Sequence, residues 1–212
     1  MENIIECIVV WIYRHETLTT GILALIAAFA TVCVVRCQIQ QTERLHKVEL
    51  KRRHSAARAV LPLVLSQICG YATASITYAM ALRDTKFPGP VPIVSNDAIN
   101  VLRDVIETAD EEIAASFRSL LSQLQVQAAM LRDLAPFQGK LVEFDFEESV
   151  LDVILDSTRL YVHVSNFFDY SRFENDSVPL DSSDHQVENR LNFLGLNKDA
   201  EPVLWQRFQN DV

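Results

Sequence analysis

The chain has 212 residues, a formal net charge of −9 and only five glycines, enough for one anchored domain and too few glycines for a phosphate-cradling loop to be expected. The charge is unevenly spread: residues 1–96 carry 10 Lys/Arg against 6 Asp/Glu, and residues 97–212 carry 9 against 22. The acidic distal part would be repelled by a phosphate backbone, which argues against nucleic acid as its partner.

Residues 1–17 read as a short external tail or interfacial helix. Its apolar run, NIIECIVVWIY, ends near Trp11 and Tyr13, residue types that favour a membrane–water interface. Residues 18–36 form the expected transmembrane helix. Leu18–Val35 is eighteen residues without a charge, just long enough to cross a hydrocarbon core of about 30 Å. A cleaved signal peptide fits less well, because the preceding tail is acidic and the apolar run ends in basic residues. Gly21, Ala24, Ala28 and Thr31 recur at steps of three and four, a small-residue stripe along which a second helix could approach closely. That makes a homo-oligomer a possible arrangement.

Residues 37–83 read as a charged neck followed by an apolar helix. Arg36, Arg44, Lys47, Lys51, Arg52, Arg53 and Arg58 all follow the span. Basic residues beside a span are retained on the cytoplasmic side, and anionic lipid attracts them. They therefore predict an external N-terminus and a cytoplasmic body, with membrane lipid as a partner. The stretch 59–82 is also uncharged, but Gln67, Gly70 and several hydroxyl residues dilute it. Leu61, Val64, Leu65, Ile68, Tyr71 and Ala72 can share one helical face, which suits a buried soluble helix. The alternative is a second span, giving a two-span hairpin with an external helical domain.

The Pro-rich linker 84–96 breaks the helical pattern, and Ser95, Asn96 and Asp97 offer N-caps after it. Residues 97–212 form the expected acidic helical domain. A long amphipathic helix is predicted to about Leu134, with Ile99, Leu102, Val105, Ile106, Ala109, Ile113, Phe117, Leu120, Leu121, Leu124, Ala128 and Leu131 on its apolar stripe. Pro136 and Gly139 should close it. Asp145 with Glu148 resembles a capping box for a helix from about Glu147 to Phe173, and Ser183 with Gln186 another, ended by Gly195. A last short helix should bring Leu204, Trp205 and Phe208 onto the bundle. The fold class is all-α: one N-terminal transmembrane helix, a charged helical neck and an amphipathic helical bundle.

No catalytic signature is present, whether GxSxG, HExxH or a kinase motif. Cys7, Cys33, Cys37 and Cys69 lack the CxxC spacing of a zinc or redox site. Glu43 and His46 make one Glu-x-x-His step where a bridged metal site needs two. His163 reads as a structural histidine, and Asp169, Tyr170 and Arg172 as a helix end packing its aromatics. No catalytic, cofactor or metal residue is assigned. The reading is a membrane-anchored helical interaction or scaffold module whose protein partner the sequence does not name. The alternative is a membrane-bound enzyme using dispersed carboxylates or histidines.

The segments ETLTTGILALIAAFATVCVVRCQI, RHSAARAVLPLVLSQICGYA and LLSQLQVQAAMLRDL resemble a loose group of uncharacterised bacterial single-span membrane proteins with a helical cytoplasmic domain. The resemblance reaches to about residue 172 and rests on hydrophobic patterns. It implies a single span in preference to a hairpin, and it implies no activity.

Overall fold

The computed structural model describes residues 2–14, 16–84, 89–135, 144–178 and 183–210. Every regular element among them is an α-helix: α1 (Glu2–Arg14), α2 (Glu16–Arg83), α3 (Asn96–Thr108), α4 (Glu111–Leu134), α5 (Phe144–Ser165), α6 (Phe168–Ser171), α7 (Asp184–Phe193) and α8 (Pro202–Asn210). The all-α expectation holds. The breaks expected at Pro88, Pro136 and Gly139, and the side chain of Asp145, lie outside the described residues.

The chain divides into two compact units, Met1–Leu50 and Lys51–Val212. In the first, Ile5, Ile8, Val9 and Trp11 of α1 and Leu23, Leu25, Ile26, Phe29 and Val32 of α2 are all solvent-exposed. Along the described residues 18–36 of α2 these apolar side chains lie on the surface rather than in a core.

The second unit has a conventional core, and the stretch 59–82 runs through it. Leu61, Leu65, Ile68, Ala72, Ile76 and Ala79 are each at most 1% exposed. Their steps of four and three draw one seam along the helix, and they belong to the same buried cluster as Leu102, Phe117, Leu131, Ile154 and Leu191. Gln67 and Ser66 point away and stay exposed, so the polar residues that would burden a membrane span cost nothing here. Pro62 lies inside α2.

The expected helix 97–134 is two helices. Ala109 and Asp110 adopt extended backbone, with ψ of 163° and 155°. Asp110 stands at the N-cap of α4 and is followed by Glu111 and Glu112, an acidic start that complements the positive end of the helix dipole. An apolar stripe that continued across the break concealed it. Similarly, the expected helix to Phe173 stops at Ser165, and a turn at Asn166–Phe167 leads into the short α6. Other signals read from the sequence hold. Ser95 caps α3, accepting from the Ala98 amide at 3.2 Å. Ser183 and Gln186 form a full capping box on α7. Gly195 follows that helix at φ +77°, in the left-handed region glycine supplies without strain.

Polar ties close the bundle. Gln127 of α4 donates to Ser157 of α5 inside the core. Arg83 at the end of α2 donates to both carboxylate oxygens of Glu201, at 2.8 and 2.7 Å. Arg207 of α8 holds Glu148 and Asp152 of α5, and the Trp205 indole donates to the Leu196 carbonyl at 2.7 Å.

Candidate functional site

Three features stand out: the exposed apolar length of α2 with its basic flank, a buried polar cluster near the start of the second unit, and a groove beside α7.

The α2 segment near the N-terminus is the one described helix long and apolar enough to cross a membrane. Its most apolar 18-residue window has a mean hydropathy of 2.2, with 0% of it buried. Gly21, Ala24, Ala28 and Thr31 lie on this segment and are exposed. At about 100° per residue they fall within an arc of about 80°. A side chain placed on Gly21 would meet nothing within 4 Å, and the Thr31 hydroxyl donates to the Ala27 carbonyl at 2.9 Å, hiding its polarity within the helix. The flanking Arg36, Arg44 and Lys47 are exposed in the first unit, and Lys51, Arg52 and Arg53 are exposed in the second. Arg36, Arg44 and Lys47 also share an arc of about 80°.

Arg58 does not belong with these cations. It is 6% exposed. Its Nε donates to the Tyr170 carbonyl at 2.6 Å, Nη2 to the Asn175 carbonyl at 2.7 Å and Nη1 to Asp176 Oδ1 at 2.8 Å. The guanidinium lies 4.1 Å from the centre of the Tyr170 ring and 4.3 Å from that of Phe173, close enough for cation–π attraction. Phe173 pays for its place with φ +64°, a left-handed conformation uncommon for a bulky residue. A signal for this burial exists in the sequence. Arg58, Leu61, Leu65 and Ile68 are spaced 3, 4 and 3, which places the arginine on the core seam rather than on the basic flank.

One turn before it, His54 bridges α3 and α6. Thr108 spends its hydroxyl proton on the Asp104 carbonyl at 2.7 Å, so its oxygen accepts from His54 Nδ1 at 3.1 Å. His54 Nε2 then accepts from the Tyr170 hydroxyl at 2.7 Å. The neutral imidazole with its proton on Nδ1 satisfies both ring nitrogens in this arrangement. Burial lowers the His54 pKa below its ordinary 6.5; the Arg58 charge lowers it further, and Asp110 opposes both. Burial pushes the Tyr170 phenol up, with Arg58 opposing and Asp176 and Asp110 adding to the rise.

The pH dependence follows. The unfolded chain binds a proton at His54 more readily than the folded one, so stability rises with pH across the interval between the two pKa values. The contribution is complete above pH 6.5 and is lost as pH falls below it. The melting temperature should therefore decline on acidification from pH 7 towards about 5, ahead of general carboxylate protonation. The difference between the wild type and His54→Gln, scanned by circular dichroism, isolates this contribution. Parallel curves would refute it.

The remaining singled-out residues carry less. His163 is 3% exposed, faces Gln123 Oε1 at 2.8 Å and lies 5.2 Å from the Phe167 ring, an ordinary core histidine. Arg172 lies over Phe168, and Asp169 is exposed while its carbonyl accepts from the Glu174 amide. Glu43 and His46 are exposed on α2. Among the described residues, His, Cys, Asp and Glu side chains do not gather in groups of three or more suited to a metal ion.

No family model matches the chain, and no curated protein or solved structure shows significant similarity to it.

Proposed function

We propose that the chain is a membrane-tethered helical interaction module. One observation carries the reading: none of the apolar window of α2 near the N-terminus is buried, whereas residues 61–79 of the same helix form the seam of a packed core. The first surface has the character of a lipid-facing one, and the second does not need lipid. Burial of the Leu61–Ala79 seam supports a single span over the hairpin, since a second span would have to strip this seam from the bundle. The basic residues after the span favour an external N-terminus and a cytoplasmic bundle. The small-residue stripe supports self-association in the bilayer. The bundle would be the part that meets a protein partner.

The tether is tested by alkaline extraction of membranes: the full chain should stay with the lipid. Replacing Ala28, near the middle of the span, with arginine costs about 2.5–3.5 kcal/mol of insertion free energy and should move a large share to the soluble fraction. Wild-type chain recovered in the supernatant would end the proposal. Orientation has its own test. Substituting glutamine for Arg36, Arg44, Lys47, Lys51, Arg52 and Arg53 should give mixed insertion by protease accessibility; Arg58 is left in place because it serves the core.

A further inference from the structure

A groove of about 640 Å³ lies where α2 passes the proline segment, α5 and α7. Its floor is made by small residues of α2: Gly70 and Ala74 are exposed, and a side chain at Gly70 would meet nothing within 4 Å. Pro90 and Pro92 line it from the linker. Arg190 of α7 lines it from the bundle, its guanidinium 3.6 Å from the centre of the Tyr161 ring.

Arg190 is the anomaly. Four other arginines of the bundle are buried or half-buried, and each has a carboxylate: Arg58 pairs with Asp176, Arg83 with Glu201, Arg159 with Asp156 and Arg207 with Glu148 and Asp152. Arg190 is half-buried too, in a domain rich in acid, yet among the described residues its polar neighbour is a hydroxyl: Nη2 donates to Thr73 Oγ1 at a long 3.4 Å. Its Nε is shielded from water and has no acceptor. A partly desolvated guanidinium without a counter-charge is costly, and the planar fork of donors fits a carboxylate.

The size of the charge selects the ligand. Among the described residues one cation lines this groove, and no carboxylate does. A singly charged anion would be neutralised there, whereas a phosphate monoester would keep an uncompensated charge close to an acidic domain. The rest of the described lining is the rings of Pro90, Pro92, Tyr78 and Tyr161, small residues and the hydroxyls of Thr73 and Thr77, a mainly apolar wall suited to an apolar body. We propose that this groove binds a small organic carboxylate with an apolar or aromatic body, held by Arg190 over the floor at Gly70 and Ala74.

Cys69 supplies the test, because it lines the same groove and is half-buried. Iodoacetate and iodoacetamide alkylate a thiol alike but differ in carrying a carboxylate or a neutral amide. Both are applied to the full chain in detergent, and the Cys69 peptide is quantified by mass spectrometry. The reaction is run at alkaline pH, since burial pushes the Cys69 thiol up. The rate ratio of iodoacetate to iodoacetamide at Cys69 should exceed that in the urea-unfolded chain by about tenfold, the preference expected of a charge-assisted pair. Arg190→Gln should return it to the unfolded value, and Arg190→Lys should retain part of it. Millimolar benzoate should slow the labelling, while benzamide should not. An equal ratio in folded and unfolded chain, equal protection by benzamide, or stronger protection by inorganic phosphate than by benzoate would each overturn the proposal. Gly70→Leu guards against a variant that fails to fold. It fills open space with a better helix former, so it should keep the melting temperature and lose benzoate protection; protection unchanged in this variant would place the carboxylate elsewhere and defeat the assignment.

Discussion

Replacing Phe117 with alanine should lower the unfolding free energy of the bundle by about 3–5 kcal/mol, the range for deleting a buried phenyl ring. Phe117 is fully buried on α4, edge-on to Phe167 with ring centres 4.6 Å apart and 5.8 Å from the Tyr170 ring. It thus sits between α4, the turn after α5 and the aromatic that Arg58 grips. The loss combines the lost burial of the ring with a cavity that its two aromatic neighbours cannot easily close. For a domain of this size the melting temperature should fall by about 6–20 °C. Circular dichroism of the full chain in detergent measures it. A shift under about 2 °C would mean that α4 does not pack on this turn.

Arg58→Ala should come next, at about 2–4 kcal/mol. Two carbonyl acceptors, of Tyr170 and Asn175, lose a charged donor, and the rings of Tyr170 and Phe173 lose a stacked face. The third partner behaves differently. Asp176 is 95% exposed in its side chain, so water replaces the guanidinium and Asp176→Ala should cost under about 1 kcal/mol. The contrast is the discriminating result. If Asp176→Ala proved as damaging as Arg58→Ala, the ion pair rather than the buried carbonyl contacts would hold the segment after α6. Phe173→Gly gives an internal check, because it relieves the strained backbone at φ +64° while deleting the stacked ring.

How much of this was legible beforehand depends on the kind of signal. Helix starts with a hydroxyl and a following acid or amide were readable, as Ser95 and Ser183 show, because a cap is a local bargain struck within four residues. Gly195 was readable for the same reason. The packing of residues 59–82 was readable from one seam of Leu, Ile and Ala with Ser66 and Gln67 off it, although Ser75 is buried on the same side, its hydroxyl spent on the Tyr71 carbonyl. The division of α3 from α4 was not, because the apolar stripe continues across Ala109 and Asp110 and only the acid run after it marks the break. Arg58 was the clearest miss. Standing next to Arg52 and Arg53 it looked like one more flanking cation, and its partners lie more than 110 residues away. Such a partner set cannot be found from spacing, although its place on the Leu61–Ile68 seam could have been. Arg190 was invisible for a related reason: what distinguishes it is that, among the described residues, no carboxylate comes near.

Pro62 gives the Arg58 contacts a second meaning. Proline has no amide hydrogen, so the carbonyl four residues earlier in α2 loses its partner in the ladder, and that carbonyl belongs to Arg58. The missing rung is where a helix most readily bends. At this point the side chain of the same residue is fastened to Tyr170, Asn175 and Asp176 and flanked by two rings. The polar cluster therefore braces α2 within the bundle beside the rung that Pro62 removes. Protonation of His54, one turn away, would turn its Nε2 from acceptor to donor towards Tyr170, the residue whose carbonyl Arg58 holds.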